Sequence, residues 1–209
     1  MTERIILTEA CIAEGAAWLS QKEPRFARAV EAVPEVPLRR KADGFAELLS
    51  AIVSQQVSVV SANAIWGRLL AAGMVTEAAI AQASDDDLRA VGLSRPKVRY
   101  AKALACAEIE YEALRTRPSA EVIETLTSVS GIGPWTAQIY AMFSLGRADV
   151  FAPGDLALQE AARLLFELPE RPGPDALDHM AQDWSPWRAV AARVLWAYYK
   201  VEKQREGSR

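Results

Sequence analysis

Along almost the whole chain, apolar residues recur at spacings of three and four. They rarely alternate with polar ones over a strand's length, so the period is helical and the pattern predicts an all-α protein. Residues 5–33 read as two helices, with Ala10, Ala13, Ala17 and Leu19 facing inward on the first, and Phe26, Ala29, Val30 and Val33 on the second, which Pro24 opens. Residues 34–41 hold two prolines that resist helix and form a connector. Asp43 is expected to cap the next helix, whose apolar face is Phe45, Leu48, Leu49, Ile52 and Val53. Residues 54–58 join or continue into a helix carrying Val59, Ala62, Ile65, Trp66 and Leu69, which Gly73 ends. Short helices are predicted over 76–83 and 84–90, the second with a capping box from Ser84 and Asp87. Ser94 should cap a long helix reaching about residue 114, with Val98, Ala101, Ala105 and Ile109 inward.

The second half has the same grain. Ser119 is expected to cap a helix in which Val122, Leu126 and Val129 share a face. Gly131 and Gly133 then bracket Ile132, Pro134 stands where a first helical residue belongs, and a further helix runs through Ala137, Ile139, Met142 and Leu145. An extended run from Asp149 to Ala152 leads to Pro153, Gly154 and Asp155, after which residues 156–166 form an amphipathic helix. Residues 169–174 break the pattern and Asp175 opens another helix. Trp184, Ser185, Pro186 and Trp187 start the last helix, with Val190, Val194, Leu195 and Tyr198 on it and a frayed polar tail from Glu202.

Two places carry chemistry. The tight turn at Gly131 and Gly133 leaves backbone N–H groups pointing outward at a helix N-terminus, where a phosphate oxygen is favoured. Asp155 falls at a helix N-cap, where the positive end of the macrodipole favours an ionised carboxylate. It reads either as a cap alone or as a cap that is also a catalytic carboxylate. Gln55 and Gln56, between two apolar runs, read locally as buried amides satisfying backbone groups at a helix junction. Lys97 and Arg99 read as a solvated face, with DNA contact as the alternative. Each Trp, taken alone, reads as core.

The string Gly131-Ile-Gly-Pro-Trp-Thr-Ala137, about twenty residues before an Asp in a Pro-Gly loop, resembles the helix-hairpin-helix-GPD superfamily of base-excision DNA glycosylases. The 3-methyladenine DNA glycosylase II type is the nearest in kind. The segments Ala51-Ile-Val-Ser-Gln-Gln-Val-Ser58, Ser94-Arg-Pro-Lys97 and Trp184-Ser-Pro-Trp-Arg188 extend the likeness over most of the chain. The resemblance implies two helical lobes with a cleft between them. One covers about 42–133 and ends in the hairpin; the other joins 1–41 to 134–209 and carries the catalytic Asp155 in the cleft, facing the hairpin and the glutamines. It implies that Gln55, Gln56, Ser58, Gly131, Gly133 and Thr136 contact DNA, with Gln56 filling the gap an extruded nucleotide leaves. It implies a base pocket at Trp135, Trp196 and Tyr140, where electron-rich rings stack an alkylated, cationic purine. Related glycosylase/lyases place a Schiff-base lysine where this chain has Trp135, so the reaction should end at an abasic site. The resemblance also implies a place where a sodium or potassium ion can sit, on hairpin carbonyls such as those of Val129 and Ile132.

Composition narrows this further. A chain of 209 residues with 51% hydrophobic residues can bury one sizeable core or two small ones. Two cysteines provide neither a disulfide framework nor a four-cysteine iron–sulfur cluster, and the one histidine has no metal-ligand spacing, so no cofactor is expected. There is no signal-like N-terminus and no membrane-length apolar run, which leaves a bacterial-type cytoplasm as the expected compartment, with a monomer as the default. A net charge of −3 argues mildly against a nucleic-acid partner, yet basic clusters at Arg39-Arg-Lys41 and Arg95-Pro-Lys97-Val-Arg99 suffice for a local footprint on double-stranded DNA. The expected activity is therefore hydrolytic excision of alkylated purines such as 3-methyladenine and 7-methylguanine. The alternatives are a non-catalytic module that binds damaged DNA, and a lyase-type enzyme for oxidised bases, which Trp135 disfavours.

Overall fold

The computed structural model describes residues 3–206. Helices α1 (Glu9–Lys22) and α2 (Pro24–Ala32) come first, followed by α3 (Phe45–Ser54), α4 (Val59–Ala71), α5 (Glu77–Gln82), α6 (Asp85–Ala90) and α7 (Arg95–Ala105). Then come α8 (Tyr111–Leu114), α9 (Ser119–Thr127), α10 (Pro134–Phe143), α11 (Leu156–Phe166), α12 (Pro174–Gln182) and α13 (Arg188–Glu206). No strand forms among the described residues; Ile5 and Arg147 make an isolated antiparallel bridge. The chain folds as two compact units, one of residues 1–40 and 141–209, the other of residues 41–140. The second division falls within α10 rather than at Gly133, because Tyr140 is still tied to the start of α3: its hydroxyl accepts the Gly44 N–H at 2.7 Å.

In the discontinuous unit, α13 packs on α1, α2 and α11. Trp184 stands at its centre, edge-on to Phe26 and Phe151 with centroids at 5.2 and 5.5 Å, and stacked on Phe166 at 5.7 Å. Trp184 and Trp187 are core, as their apolar context suggests. The inward face of α1 is Ile12, Gly15, Ala16 and Leu19; Ala10, Ala13 and Ala17 are exposed. Residues 5–7 are not helical: the Ile6 N–H donates to the Gly146 carbonyl at 2.7 Å. Trp184 to Trp187 form a turn with a cis Ser185–Pro186 peptide ahead of α13, which continues to Glu206 rather than fraying at Glu202. Residues 207–209 of that tail lie outside the described residues.

In the continuous unit, α7 packs on α3, α5 and α6. The α3 face is the expected one, with Phe45, Leu48, Leu49, Ile52 and Val53 all buried. Its N-cap is Gly44 at φ +100°; Asp43 is diverted to Arg115, whose Nε donates to it at 2.7 Å. The long helix expected from Ser94 stops at Ala105, and after Glu108 at φ +49° the chain restarts as α8. Val59 lies on the outer face of α4 and is 76% exposed. The first residue of α9 is Ser119 itself, with Pro118 as N-cap. Ser84 and Asp87 form the expected reciprocal box.

Candidate functional site

Asp155 is the N-cap of α11, and one of its oxygens gathers three donors. Oδ1 accepts the Ala157 N–H at 2.9 Å, the Leu158 N–H at 3.0 Å and the Trp196 indole N–H at 3.1 Å. The first two are orphan donors of the helix start, so the sequence preference for Asp at this place explains them. The third comes from α13, forty-one positions away, and fixes the carboxylate against rotation. Trp196 in turn packs on Phe143, with centroids 5.8 Å apart. Three N–H dipoles and a helix N-terminus make this a strongly electropositive seat for a carboxylate. Such a group can stabilise a cation developing on a neighbouring atom or orient an attacking water.

The turn before Asp155 is held from below and from upstream. Gln159, 3% exposed, donates from Nε2 to the Pro153 carbonyl at 2.9 Å, while its N–H donates to the Asp155 carbonyl at 3.0 Å. Upstream, Asp149 receives Arg188 Nε at 2.9 Å and Nη2 at 3.1 Å, and the Ser185 hydroxyl at 2.8 Å. The Ala189 N–H reaches the Ala148 carbonyl at 2.9 Å. The start of α13 is thus sewn to the run that delivers Asp155. The sequence reading gave these residues no role. Gln159 lies four positions after Asp155 on an otherwise apolar face, a signal that could have found it; the Asp149–Arg188 pairing spans too long an interval to be read from spacing.

The continuous unit carries the other predicted residues. The hairpin between α9 and α10 turns at Gly131, where φ is +97° and a Cβ would stand 2.4 Å from the Tyr100 ring, so only glycine fits. Gly133 has neither constraint: a Cβ there would meet nothing within 4 Å. The fold does not need that glycine, and the space beside it is open. Gln55 caps α3 at its C-terminus and donates from Nε2 to the Gly131 carbonyl at 2.9 Å, joining the glutamine segment to the hairpin. Gln56 is exposed and left-handed, at φ +54°, which corrects the buried-amide reading for this residue. Val57, Val59 and Val60 continue it as an exposed apolar strip, and the Ser58 hydroxyl caps α4 by accepting the Ser61 N–H at 3.2 Å. A cavity of about 500 Å³ is lined by Gln55, Gln56, Lys97, Tyr100, Gly131 and Gly133.

Three expectations change here. Thr136 is 7% exposed on the inner side of α10, so its side chain faces packing rather than a surface. Tyr140 is 3% exposed, with its hydroxyl committed to Gly44 and pushed up to about 12 by burial, so it anchors the turn into α3 rather than walling a pocket. Lys97 is buried instead of solvated; its Nζ donates to the Val53 carbonyl at 2.7 Å. Arg99 is exposed, as expected. Trp135 is 46% exposed on the first turn of α10. Trp66 is half-buried. Among the described residues no group of three or more His, Cys, Asp or Glu could hold a metal ion, and no helix is long and apolar enough to cross a membrane.

Residues 49–186 match the HhH-GPD superfamily base excision DNA repair proteins. The chain is 32% identical over 170 residues to DNA-3-methyladenine glycosylase 1 of Schizosaccharomyces pombe, covering 77% of this chain and 75% of that protein. The solved structure of the Schizosaccharomyces pombe enzyme Mag1 in complex with abasic DNA superposes with a TM-score of 0.76 at 31% identity, over 88% of this chain and 95% of that one. A DNA-3-methyladenine glycosidase of Bacillus halodurans superposes with a TM-score of 0.82 at 30% identity, over 98% of this chain and 95% of that one.

Proposed function

The chain belongs to the HhH-GPD superfamily of base excision DNA repair proteins, and from that membership we propose the reaction its residues perform. It is a monofunctional DNA N-glycosylase that excises alkylated purines, such as 3-methyladenine and 7-methylguanine, from double-stranded DNA and leaves an abasic site. The observation that carries this reading is the Asp155 carboxylate, held at one oxygen by three N–H donors.

A base inside a duplex must be extruded before its glycosidic bond can be reached. The outward N–H groups at Gly131 and Gly133 grip one phosphate. The open space at Gly133 supports this, because nothing in the protein itself fills it. Gln56 and the valines beside it enter the minor groove, the amide taking the place of the extruded nucleotide and the apolar strip lying along the sugars. A monovalent cation on the Val129 and Ile132 carbonyls is compatible with this turn: the Val129 oxygen accepts the Ile132 N–H at 3.0 Å and keeps a second lone pair. Such an ion would add positive charge under the phosphate.

An N3- or N7-alkylated purine already carries positive charge and departs as a neutral base, so no general acid is needed. Positive charge then accumulates on the deoxyribose. Asp155 stabilises it and orients or deprotonates the water that attacks the sugar. Trp196 offers an aromatic ring beside that carboxylate, attractive to a cationic base. No lysine stands at position 135 to form a Schiff base, so the sugar is left intact. A DNA substrate agrees with action beside the chromosome, in the bacterial-type cytoplasm expected from the sequence.

Incubation with methylated duplex DNA tests the reading. Free 3-methyladenine and 7-methylguanine should appear with the strand unbroken until alkali is added. Strand scission without alkali, together with an adduct trapped by borohydride, would contradict it.

A further inference from the structure

Lys97 and Tyr100 stand one turn apart on α7 and reach two different segments of the same unit. Lys97, 8% exposed, donates from Nζ to the Val53 carbonyl in the last turn of α3. Carbonyls in that turn lack intrahelical partners, and the helix end is negative, so a cation is welcome there. Two residues later the chain enters Gln55 and then Gln56 at φ +54°. A non-glycine residue in that region persists only where its surroundings over-determine it. The surroundings do so from three sides. Lys97 holds the chain before the turn, Gln55 ties the turn to the Gly131 carbonyl at 2.9 Å, and the Tyr100 ring lies against Gly131 itself. All border the same cavity.

We propose that Lys97 is a positioning residue for Gln56: its buried ammonium grips the end of α3 and holds the Gln55–Gln56 turn in the posture that enters a duplex. Helix α7, through Lys97 and Tyr100, sets the register of that turn against the hairpin. The inference rests on the reading of Gln56 as the side chain that replaces an extruded nucleotide. Burial lowers the Lys97 ammonium from the ordinary lysine value, and the Val53 carbonyl is the acceptor that its Nζ meets there. A lysine that touched phosphate would be exposed, and Lys97 is not.

The test needs no catalysis. A duplex with an abasic site and 2-aminopurine opposite it brightens when a side chain enters the gap and loosens the stack around it. K97M keeps the aliphatic stem and removes the ammonium. Wild type should brighten the probe, and K97M should lose about half or more of the rise. K97M placed on Q56A should add nothing further, since coupled residues are non-additive. The salt dependence of binding to undamaged duplex should not change. A slope smaller by about one would instead mark a lost phosphate contact and overturn the proposal. So would a K97M signal equal to wild type, an additive loss on Q56A, or no rise with wild type. If K97M does not fold, K97Q carries the same cycle, and failure of both to fold assigns Lys97 to the fold and overturns the inference. Base release is not read in this experiment, so a failure here leaves the glycosylase reading standing.

Discussion

Trp196→Phe separates two roles that one side chain combines. The ring packs on Phe143, and the indole N–H donates to Asp155 Oδ1 at 3.1 Å. Phenylalanine keeps most of the ring and loses only the donor. A hydrogen bond to a charged acceptor contributes about 1.5–3 kcal/mol, and each ~1.4 kcal/mol is a factor of ten in rate. Oδ1 retains the Ala157 and Leu158 N–H groups, so the carboxylate stays in place but loses the donor from α13. The loss should fall on the chemical step, about 10- to 100-fold in kcat, with the dissociation constant for lesion-containing duplex nearly unchanged. Single-turnover excision with enzyme in excess, beside polarisation-based binding, reads the two separately. Trp196→Ala, which removes ring and donor together, should be worse in both. The reasoning is refuted if Trp196→Phe excises within twofold of wild type while Trp196→Ala is inactive, because the indole would then act as an aromatic surface alone.

Two further perturbations probe the frame. Gly131→Ala forces a Cβ into the Tyr100 ring at a left-handed φ and should destabilise the protein by about 1–3 kcal/mol or more; Gly133→Ala should leave Tm unchanged and weaken DNA binding, and equal Tm losses would contradict the contrast. Tyr140 is raised by burial from 10.0 to about 12, so its contribution is intact below the unfolded value and is lost as pH rises through that window. The loss is at most about 2–3 kcal/mol. Tyr140→Phe leaves the Gly44 N–H unmet, costs about 1–2 kcal/mol at neutral pH, and should flatten the decline in urea midpoint between about pH 10 and pH 12.

Local patterns were legible in the sequence where the partners are neighbours along the chain. The α3 face, the Ser84–Asp87 box and the N-cap position of Asp155 all follow from spacings of a few residues. The reading failed where a partner is distant or a conformation is unsignalled. Asp43 looks like a cap until Arg115 competes for it. Nothing between Cys106 and Glu110 is a glycine or proline, so the break at Glu108 φ +49° has no sequence mark. Lys97 reads as surface because lysine prefers water; its actual partner is a backbone carbonyl forty-four positions away. The same holds for Trp196, whose indole meets Asp155 across forty-one positions. Resemblance named the residue, and the fold supplied the hydrogen bond.

Asp155→Asn tests the central claim most directly. Asparagine caps a helix as well as aspartate and can still accept the Ala157, Leu158 and Trp196 N–H groups, so fold and site geometry are kept while the charge is removed. Release of free 3-methyladenine from methylated duplex should fall by about 100-fold or more, with Tm and affinity for the duplex close to wild type. Turnover by Asp155→Asn at the wild-type rate would contradict the account.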